Sequence, residues 1–257
     1  MIQEILSLEK DARLEYLKKN KSLIFKEKKL QMKKADGIGM TVKQNAVKKE
    51  ASDKLSIKAV INTTNVLDSH MDLHVPGIWN KSLADKDTHL LLQEHEMKFD
   101  HVISENAKAY VQSFSFRELG YDMPGTTQAL MFDAQPDMSD NPFMYKKYAE
   151  GKVKQHSVGM MYVNGFLAIN TEEKGYEEEK EIWDKYYPEI ANPEMADEYG
   201  FFFVVTEAKV IEGSAVLLGS NSITPTYSTS LPSSDTKNDS RENTIKEIKG
   251  IFKSLNN

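Results

Sequence analysis

QEHEMKFDHVIS (residues 93–104) and GKVKQHSVGMMYV (residues 151–163) are the two stretches around which this chain is organised. The first carries His95 and the second carries Ser157. A serine hydroxyl is a weak nucleophile near neutral pH unless a base removes its proton, and imidazole titrates in the range where it can do so repeatedly. We therefore predict that the two stretches meet in the folded protein.

The residues on either side of Ser157 indicate a long β-strand. VKQHSVGMMYVNGFLAI (residues 153–169) is rich in apolar residues and is interrupted by two glycines. Successive side chains of a strand point to opposite faces, so we expect His156 to point away from Ser157 and to be structural. Residues 80–92 are interpreted as a short helix that ends in three leucines, which places His95 at the end of a buried element.

The sequence outside these two stretches predicts several more strands. Two further segments, residues 55–64 and 108–119, alternate apolar and polar residues as half-buried strands do. We predict that residues 127–134 form the next strand and that residues 201–218 supply one or two more. GYDMPG, between the second and third of these four segments, predicts a hairpin, and NPFMYKKYAEG (residues 141–151) predicts a helix. Since helices and strands do not alternate regularly, we predict an α+β fold with a mainly antiparallel curved sheet or a small β-barrel, flanked by helices.

Composition limits the chemistry that the chain can perform. Its 257 residues, 40% of them hydrophobic, can bury one sizeable core with appendages. Cysteine is absent, which excludes disulfides, thiolate zinc sites and cysteine nucleophiles. No run approaches the ~18 apolar residues of a membrane span, and the N-terminus lacks the basic-then-apolar order of a secretory signal. We therefore expect a soluble cytoplasmic protein that binds no membrane.

Charge divides the chain into segments. Residues 1–50 hold 13 basic and 7 acidic residues, whereas the rest of the chain holds 20 basic and 32 acidic ones. We predict a basic N-terminal segment and linker (residues 1–53), helical over residues 2–34, ahead of a compact domain (residues 54–226). Acidic residues interrupt the lysines and aromatic residues are sparse, so a solvated helix is favoured over a nucleic-acid-binding arm.

Two further segments stand apart in composition. Residues 171–200 hold 11 acidic and 3 basic residues, and we interpret them as a helical insertion that is either a solvated excursion or a lid or docking surface for a basic partner. Residues 227–257 begin with a stretch rich in Ser, Thr, Asn and Asp, which predicts disorder. They end in NTIKEIKGIFKSLNN, whose apolar residues recur at helical spacing and predict a short amphipathic docking helix.

A metal site is one alternative to serine chemistry. In HMDLH, the side chains of His70, Asp72 and His74 share a face if the segment is extended, and two imidazoles with a carboxylate suit zinc or a similar ion. The Pro-Gly pair that follows indicates a turn, in which these side chains do not converge. The sequence therefore favours a protein without a metal or another cofactor.

Four motifs in order carry a resemblance to a known family. They are DSHMDLHVPGIWNKSL (residues 68–83), LLLQEHE (residues 90–96), GKVKQHSVGMMY (residues 151–162) and VIEGSAVLLGSNSITP (residues 210–225). With these motifs, residues 54–226 resemble the prohead (capsid maturation) serine proteases of tailed phages, which are related in fold to the herpesvirus assemblins. The resemblance rests on the order of all four motifs, since no single one is specific alone.

The resemblance implies roles for individual residues. Ser157 would attack a scissile peptide carbonyl, His95 would take and return the proton, and Glu212 would orient the imidazole and stabilise its charged form. Assemblins use a second histidine in that third role, so His101 and His156 remain candidates for it. Backbone amides would donate to the oxyanion, with those near Gly219 as candidates.

The resemblance also implies a biological setting. The substrates would be the scaffold protein and extensions of the major capsid protein, cleaved inside an assembling prohead in the host cytoplasm. The protease would form a homodimer or homo-oligomer and would cleave itself, in the polar segments at residues 35–53 or 226–243. The non-enzymatic alternative is an inactive capsid-assembly or scaffold-associated protein of the same fold, which has no need to keep both His95 and Ser157.

Overall fold

The computed structural model of the chain describes residues 1–30, 51–52 and 55–232. The helices and strands of these residues are α1 (Ile2–Leu6), α2 (Lys10–Leu30), β1 (Ala51–Ser52), β2 (Ser56–Thr63), β3 (Asp72–His74), α3 (Asn80–Asp85), β4 (Thr88–Gln93), β5 (Val102–Ser115), β6 (Thr126–Ala134), α4 (Pro142–Ala149), β7 (Gln155–Ile169), α5 (Glu177–Tyr186), α6 (Glu194–Tyr199), β8 (Phe201–Val216) and β9 (Thr226–Pro232). Short 3₁₀ helices lie at Phe99–His101 and Tyr187–Glu189. No helix in the described part of the chain is long and apolar enough to cross a membrane.

The strands form one mixed sheet in the order β1-β9-β2-β6-β5-β4-β8-β3, with β7 paired to β8 beside this path. The antiparallel pairs are β2–β6, β2–β9, β4–β5, β5–β6 and β7–β8, and the parallel pairs are β1–β9, β3–β8 and β4–β8. Within the described residues the sheet is open, because its end strands β1 and β3 do not pair with each other. The predicted α+β class with a sheet flanked by helices is therefore confirmed, and the small-barrel alternative is wrong.

The pair β7–β8 is the longest in the sheet and serves two hydrophobic cores. The strands have 15 and 16 residues, and their register runs from Gln155 opposite Val216 to Ile169 opposite Phe201. The first half packs in a core that includes Trp79, Leu91, Phe132, Val158 and Met160. The second half packs in another core that includes Leu17, Ile24, Leu167, Trp183 and Phe202. Ser157 lies in the first half.

The basic N-terminal segment and the acidic insertion bind each other at the second core. Leu17 and Ile24 on α2 are fully buried there. Lys21 Nζ lies 2.7 Å from Glu179 Oε1 and 3.1 Å from Glu178 Oε2, both on α5. The expectation of a solvated N-terminal helix is therefore wrong, because the apolar residues at spacings of three and four give α2 one apolar side, which the core covers.

Three secondary-structure predictions are corrected. Residues 80–92, predicted as one helix, divide into α3 and β4, because the leucine run is a strand between β5 and β8. Residues 227–232, predicted as the start of a disordered tail, belong to β9 and pair with β2 and β1. The N-terminal helix breaks between α1 and α2 at residues 7–9. The end of the predicted N-terminal helix (residues 31–34), most of the predicted linker (residues 40–53) and the predicted tail from residue 233 onward, with its amphipathic helix, lie outside the described residues.

The elements on either side of Ser157 form as predicted. The hairpin of β5 and β6 is antiparallel, and β7 spans almost the whole of its predicted range. The α4 helix begins at Asn141, whose side-chain oxygen accepts the Met144 amide over 2.9 Å as an N-cap. It ends before Gly151, whose φ of 65° favours glycine and terminates the helix.

Candidate active site

His95 lies on a tight turn directly after β4. The backbone φ angles of Glu94 and His95 are both positive, at 55° and 59°, and the Glu96 amide donates to the Gln93 carbonyl over 3.1 Å. Positive φ at both central positions is typical of a type I′ turn and costs a non-glycine residue about 1–3 kcal/mol. Surrounding contacts must hold such a turn, and one of them is the Glu94 amide, which donates to the Ala215 carbonyl over 2.9 Å.

A buried carboxylate fixes the His95 ring. His95 Nδ1 lies 2.6 Å from Oε1 of Glu212, which projects from β8. The Glu212 side chain is 0% exposed and the His95 side chain 6% exposed, so water does not compete for this contact. Because an ionised carboxylate only accepts hydrogen bonds, a hydrogen bond to Glu212 requires a proton on Nδ1, and the tautomer of imidazole with its proton there has Nε2 as the acceptor. Nε2 is buried and has no hydrogen-bond partner among the described residues.

Ser157 lies on the same face of the sheet as Glu212. In the β7–β8 pair, Ser157 is opposite Ser214 and Gly159 is opposite Glu212. Directly opposite residues share a face and have Cβ atoms about 4.5–5.5 Å apart. The Ser157 side chain, 5% exposed, therefore stands beside the carboxylate that holds His95.

The hydroxyl of Ser157 and Nε2 of His95 are both unengaged. Neither atom takes part in a hydrogen bond within the described residues, with each other or with a third group. Hydrogen bonds between a nucleophile and its base are often long without substrate and tighten when substrate binds. The two stretches therefore meet on one face of the sheet, as predicted, but Ser157 and His95 form no hydrogen bond with each other in the described residues.

Gly159 makes room for the Glu212 carboxylate. A Cβ atom at this position would lie 2.0 Å from Glu212 Oε1, 2.8 Å from Cδ and 3.0 Å from Cγ. The carboxylate therefore crosses the β7 backbone at a point where no side chain stands, and from there it reaches His95. This gives a physical reason for the Ser-Val-Gly order: the residue two positions after Ser157 must lack a side chain for the carboxylate to lie there.

The two other histidines considered for the third role do not contact His95. His156 is fully buried on the opposite face, where its Nε2 lies 2.9 Å from the Tyr148 hydroxyl and its Nδ1 lies 3.1 Å from the Thr224 carbonyl. Burial lowers the pKa of His156 to about 4, so its ring is neutral and structural, as predicted. His101 pairs at the surface with its neighbour Asp100 over 3.0 Å. Of the three candidates, only Glu212 touches the His95 ring.

The Gly219 amide, a candidate oxyanion donor, is engaged within the protein. It donates to Gln155 Oε1 over 2.9 Å. A Cβ atom at Gly219 would lie 2.7 Å from the carbonyl oxygen of His156. Glycine at this position therefore allows the loop after β8 to pack closely on β7, and its amide is not available to an oxyanion.

The candidate metal ligands belong to a different, buried network. The Tyr162 hydroxyl donates to Asp72 Oδ2 over 2.8 Å and lies 3.1 Å from His74 Nε2. Lys28 Nζ from α2 lies 2.6 Å from Asp72 Oδ1, and His70 lies in the turn before β3. Burial, followed by the nearby Asp72 charge, raises the pKa of Tyr162, so the hydroxyl keeps the proton that it donates. The described residues contain no group of three or more His, Cys, Asp or Glu side chains that could hold a metal ion.

Ser214, which matches the fourth motif together with Glu212, also belongs to the site, although the resemblance assigns it no role. Its hydroxyl donates to Glu212 Oε2 over 2.6 Å and accepts the His95 amide over 3.1 Å. The signal in the sequence is spacing: residues two apart on a strand share a face, so Glu212 and Ser214 point the same way once β8 is recognised.

Comparison of the chain with protein-family descriptions, with curated proteins and with solved structures finds no match in any of the three. The functional assignment therefore depends on the geometry of the site and on the order of the sequence motifs.

Proposed function

We propose that the protein is a serine endopeptidase in which Ser157 is the nucleophile, His95 the general base and acid, and Glu212 the group that orients the imidazole. One observation carries the proposal. Glu212 holds His95 Nδ1 over 2.6 Å and leaves Nε2 buried and unpaired, on the face where the β7–β8 register places Ser157. A nucleophile, a base and an orienting carboxylate are the three groups that acyl transfer requires, and their placement on one face supports the proposal.

The reaction would follow from this arrangement. Ser157 Oγ attacks the carbonyl carbon of the scissile peptide bond as Nε2 of His95 takes its proton. The resulting imidazolium is stabilised by the Glu212 carboxylate, which is fully buried and therefore acts in a medium of low dielectric constant. His95 then gives the proton to the leaving amine, and water, activated by the same nitrogen, releases Ser157 from the acyl-enzyme. None of these steps requires a metal or another cofactor.

The four ordered motifs support a more specific role. We propose that the protein has an assemblin-like protease fold and cleaves the scaffold protein and extensions of the major capsid protein inside an assembling prohead in the host cytoplasm. We also propose that it acts as a homodimer or homo-oligomer and cleaves itself. Because residues 226–232 belong to strand β9, a C-terminal self-cleavage site is expected only beyond residue 232. The N-terminal segment proposed for cleavage, residues 35–53, lies mostly outside the described residues.

The test uses matched pairs of variants. The full-length protein is treated with an alkyl fluorophosphonate, which labels activated serines, and its intact mass is followed over time with and without a capsid or scaffold substrate. Ser157→Ala is compared with Ser22→Ala, a surface serine on α2. His95→Ala is compared with His101→Ala, which replaces an imidazole that does not contact the site.

We expect labelling and time-dependent fragments in the native protein, Ser22→Ala and His101→Ala, and neither in Ser157→Ala or His95→Ala. A third pair, Glu212→Gln and Glu207→Gln, tests the orienting carboxylate, since Glu207 lies on the same strand but pairs with Lys81. Equal fragmentation in native protein and Ser157→Ala would refute the proposal. Absence of both labelling and cleavage in the native protein would support the inactive capsid-assembly or scaffold-associated role instead.

A further inference from the structure

Ser214 connects the two parts of the site that must be aligned. Its hydroxyl donates to Glu212 Oε2 over 2.6 Å and accepts the backbone amide of His95 over 3.1 Å. Its side chain is completely buried, so no water replaces either bond. One hydroxyl therefore holds both the carboxylate and the turn that carries the imidazole.

The bond to Glu212 fixes the plane of the carboxylate. His95 Nδ1 contacts Oε1, and the Ser214 hydroxyl donates to Oε2. The carboxylate therefore cannot rotate without losing a charge-assisted hydrogen bond. Without Ser214, Oε2 would have no donor among the described residues. A buried carboxylate that lacks a donor moves or takes up a proton, and either change weakens its hold on the His95 ring.

The bond to the His95 amide fixes the turn. The backbones of Glu94 and His95 both lie in the left-handed region, where a non-glycine residue stays only if surrounding contacts hold it. The Ser214 hydroxyl on β8 accepts the amide of His95, the second of these two residues. Ser214 lies two positions along the strand from Glu212, whose carboxylate holds the His95 ring.

We propose that Ser214 is a positioning residue of the candidate active site, which aligns His95 with Ser157 by bonding the Glu212 carboxylate and the His95 amide at the same time. This proposal rests on the proposed function for its effect on rate. The alignment itself is independent of catalysis. Ser214 lies directly opposite Ser157 in the β7–β8 pair, but in this role it transfers no proton.

The test compares Ser214→Ala with Ser82→Ala. Ser82 is a matched control, because it is a buried serine whose hydroxyl accepts an amide of the same strand, that of Val210, over 2.9 Å. The first readout is the low-field ¹H NMR resonance of the short hydrogen bond between His95 and Glu212, assigned by its loss in His95→Ala. The second is the rate at which a fluorophosphonate labels the protein, followed as a function of pH and corrected for the folded fraction measured by urea unfolding.

We expect Ser214→Ala to lose or shift the low-field resonance and to be labelled about 10- to 100-fold more slowly, as the loss of hydrogen bonds to a charged group implies. The pH dependence of labelling should also differ from that of the native protein, because the carboxylate no longer holds the ring in the same position. Ser82→Ala should keep the native resonance, rate and pH profile.

Three outcomes decide the proposal. Native resonance and native labelling rate in folded Ser214→Ala would overturn it, and so would equal losses in Ser82→Ala, which would indicate a general effect of stability. If the native protein shows the resonance but no serine is labelled, and Ser214→Ala loses the resonance, the positioning role is supported while the proposed function is refuted.

Discussion

Replacing Gly159 with alanine perturbs the site without changing any group that takes part in the proposed chemistry. The new methyl group would lie 2.0 Å from Glu212 Oε1, against 3.4–4 Å for ordinary contact, so the carboxylate must retreat by more than an ångström. That movement breaks its 2.6 Å contact with His95. Overpacking costs about 1–3 kcal/mol and lost hydrogen bonds to a charged group cost about 1.5–3 kcal/mol.

We therefore expect Gly159→Ala to lower the free energy of unfolding by about 2–4 kcal/mol and to slow fluorophosphonate labelling about 100-fold. Urea unfolding measures the first quantity and labelling the second. The control is a double-mutant cycle with Glu212→Ala. Because the three atoms nearest to the added Cβ all belong to Glu212, the stability cost of the alanine should largely disappear in the Glu212→Ala background.

Two results would refute this reasoning. Native stability together with a native labelling rate in Gly159→Ala would mean that the carboxylate does not lie over the β7 backbone. An equal loss of stability in the two backgrounds would place the clash with some group other than Glu212, and the explanation given for the Ser-Val-Gly order would fail.

Three further predictions concern the network and histidines outside the site. Lys28→Ala should lower the free energy of unfolding by about 3–5 kcal/mol in urea, because it removes the ammonium group that lies 2.6 Å from the buried Asp72 carboxylate, whereas Lys29→Ala on the exposed side of α2 should stay within about 0.5 kcal/mol of native. Burial lowers the pKa of folded His156 to about 4, below the ~6.5 of an imidazole in water, so only the unfolded chain binds its proton between those pH values. Native stability should therefore fall as the pH drops from 6.5 to 4, by roughly 3 kcal/mol more than that of His156→Gln. Metal analysis of the purified protein should find no stoichiometric zinc, and zinc that is lost in His74→Ala would restore the metal-site alternative.

The sequence predicted the elements whose signals are local. Alternation over residues 55–64 and the apolar content of residues 153–169 are sufficient to place β2 and β7. Residues 90–92 were assigned to a helix, because a short apolar run has no period that distinguishes a buried strand from a buried helix. What decides between them is pairing with β5 and β8, which lie far away in the chain and are not visible in the run itself.

Partners distant in the sequence also explain the other differences. The basic character of α2 indicated solvent exposure, but Lys21 and Lys28 are neutralised by carboxylates of α5 and β3, more than 40 residues away. β9 was missed because its Thr- and Ser-rich sequence resembles a linker. Its strand conformation comes from pairing with β2, again across most of the chain.

The spacing within the two strand motifs is what makes the site predictable at all. Ser157 and Gly159 share one face of β7, Glu212 and Ser214 share one face of β8, and the register sets serine opposite serine and glycine opposite glutamate. A slip of one residue between β7 and β8 would turn Ser157 to the face opposite to that of the Glu212 carboxylate.

Hydrogen bonds hold the β7–β8 pair beside the site. The Ser157 end of β7 is held by the bonds between His156 and Thr224. Directly after Gly159, the register shifts by one residue, so that Met160 lies opposite Val210. Each motif is weak alone, because either strand could occur in any sheet. Paired in this register, the two strands place Ser157 on the face that carries Glu212, and the separate pairing of β4 with β8 brings the turn of His95 to the same carboxylate.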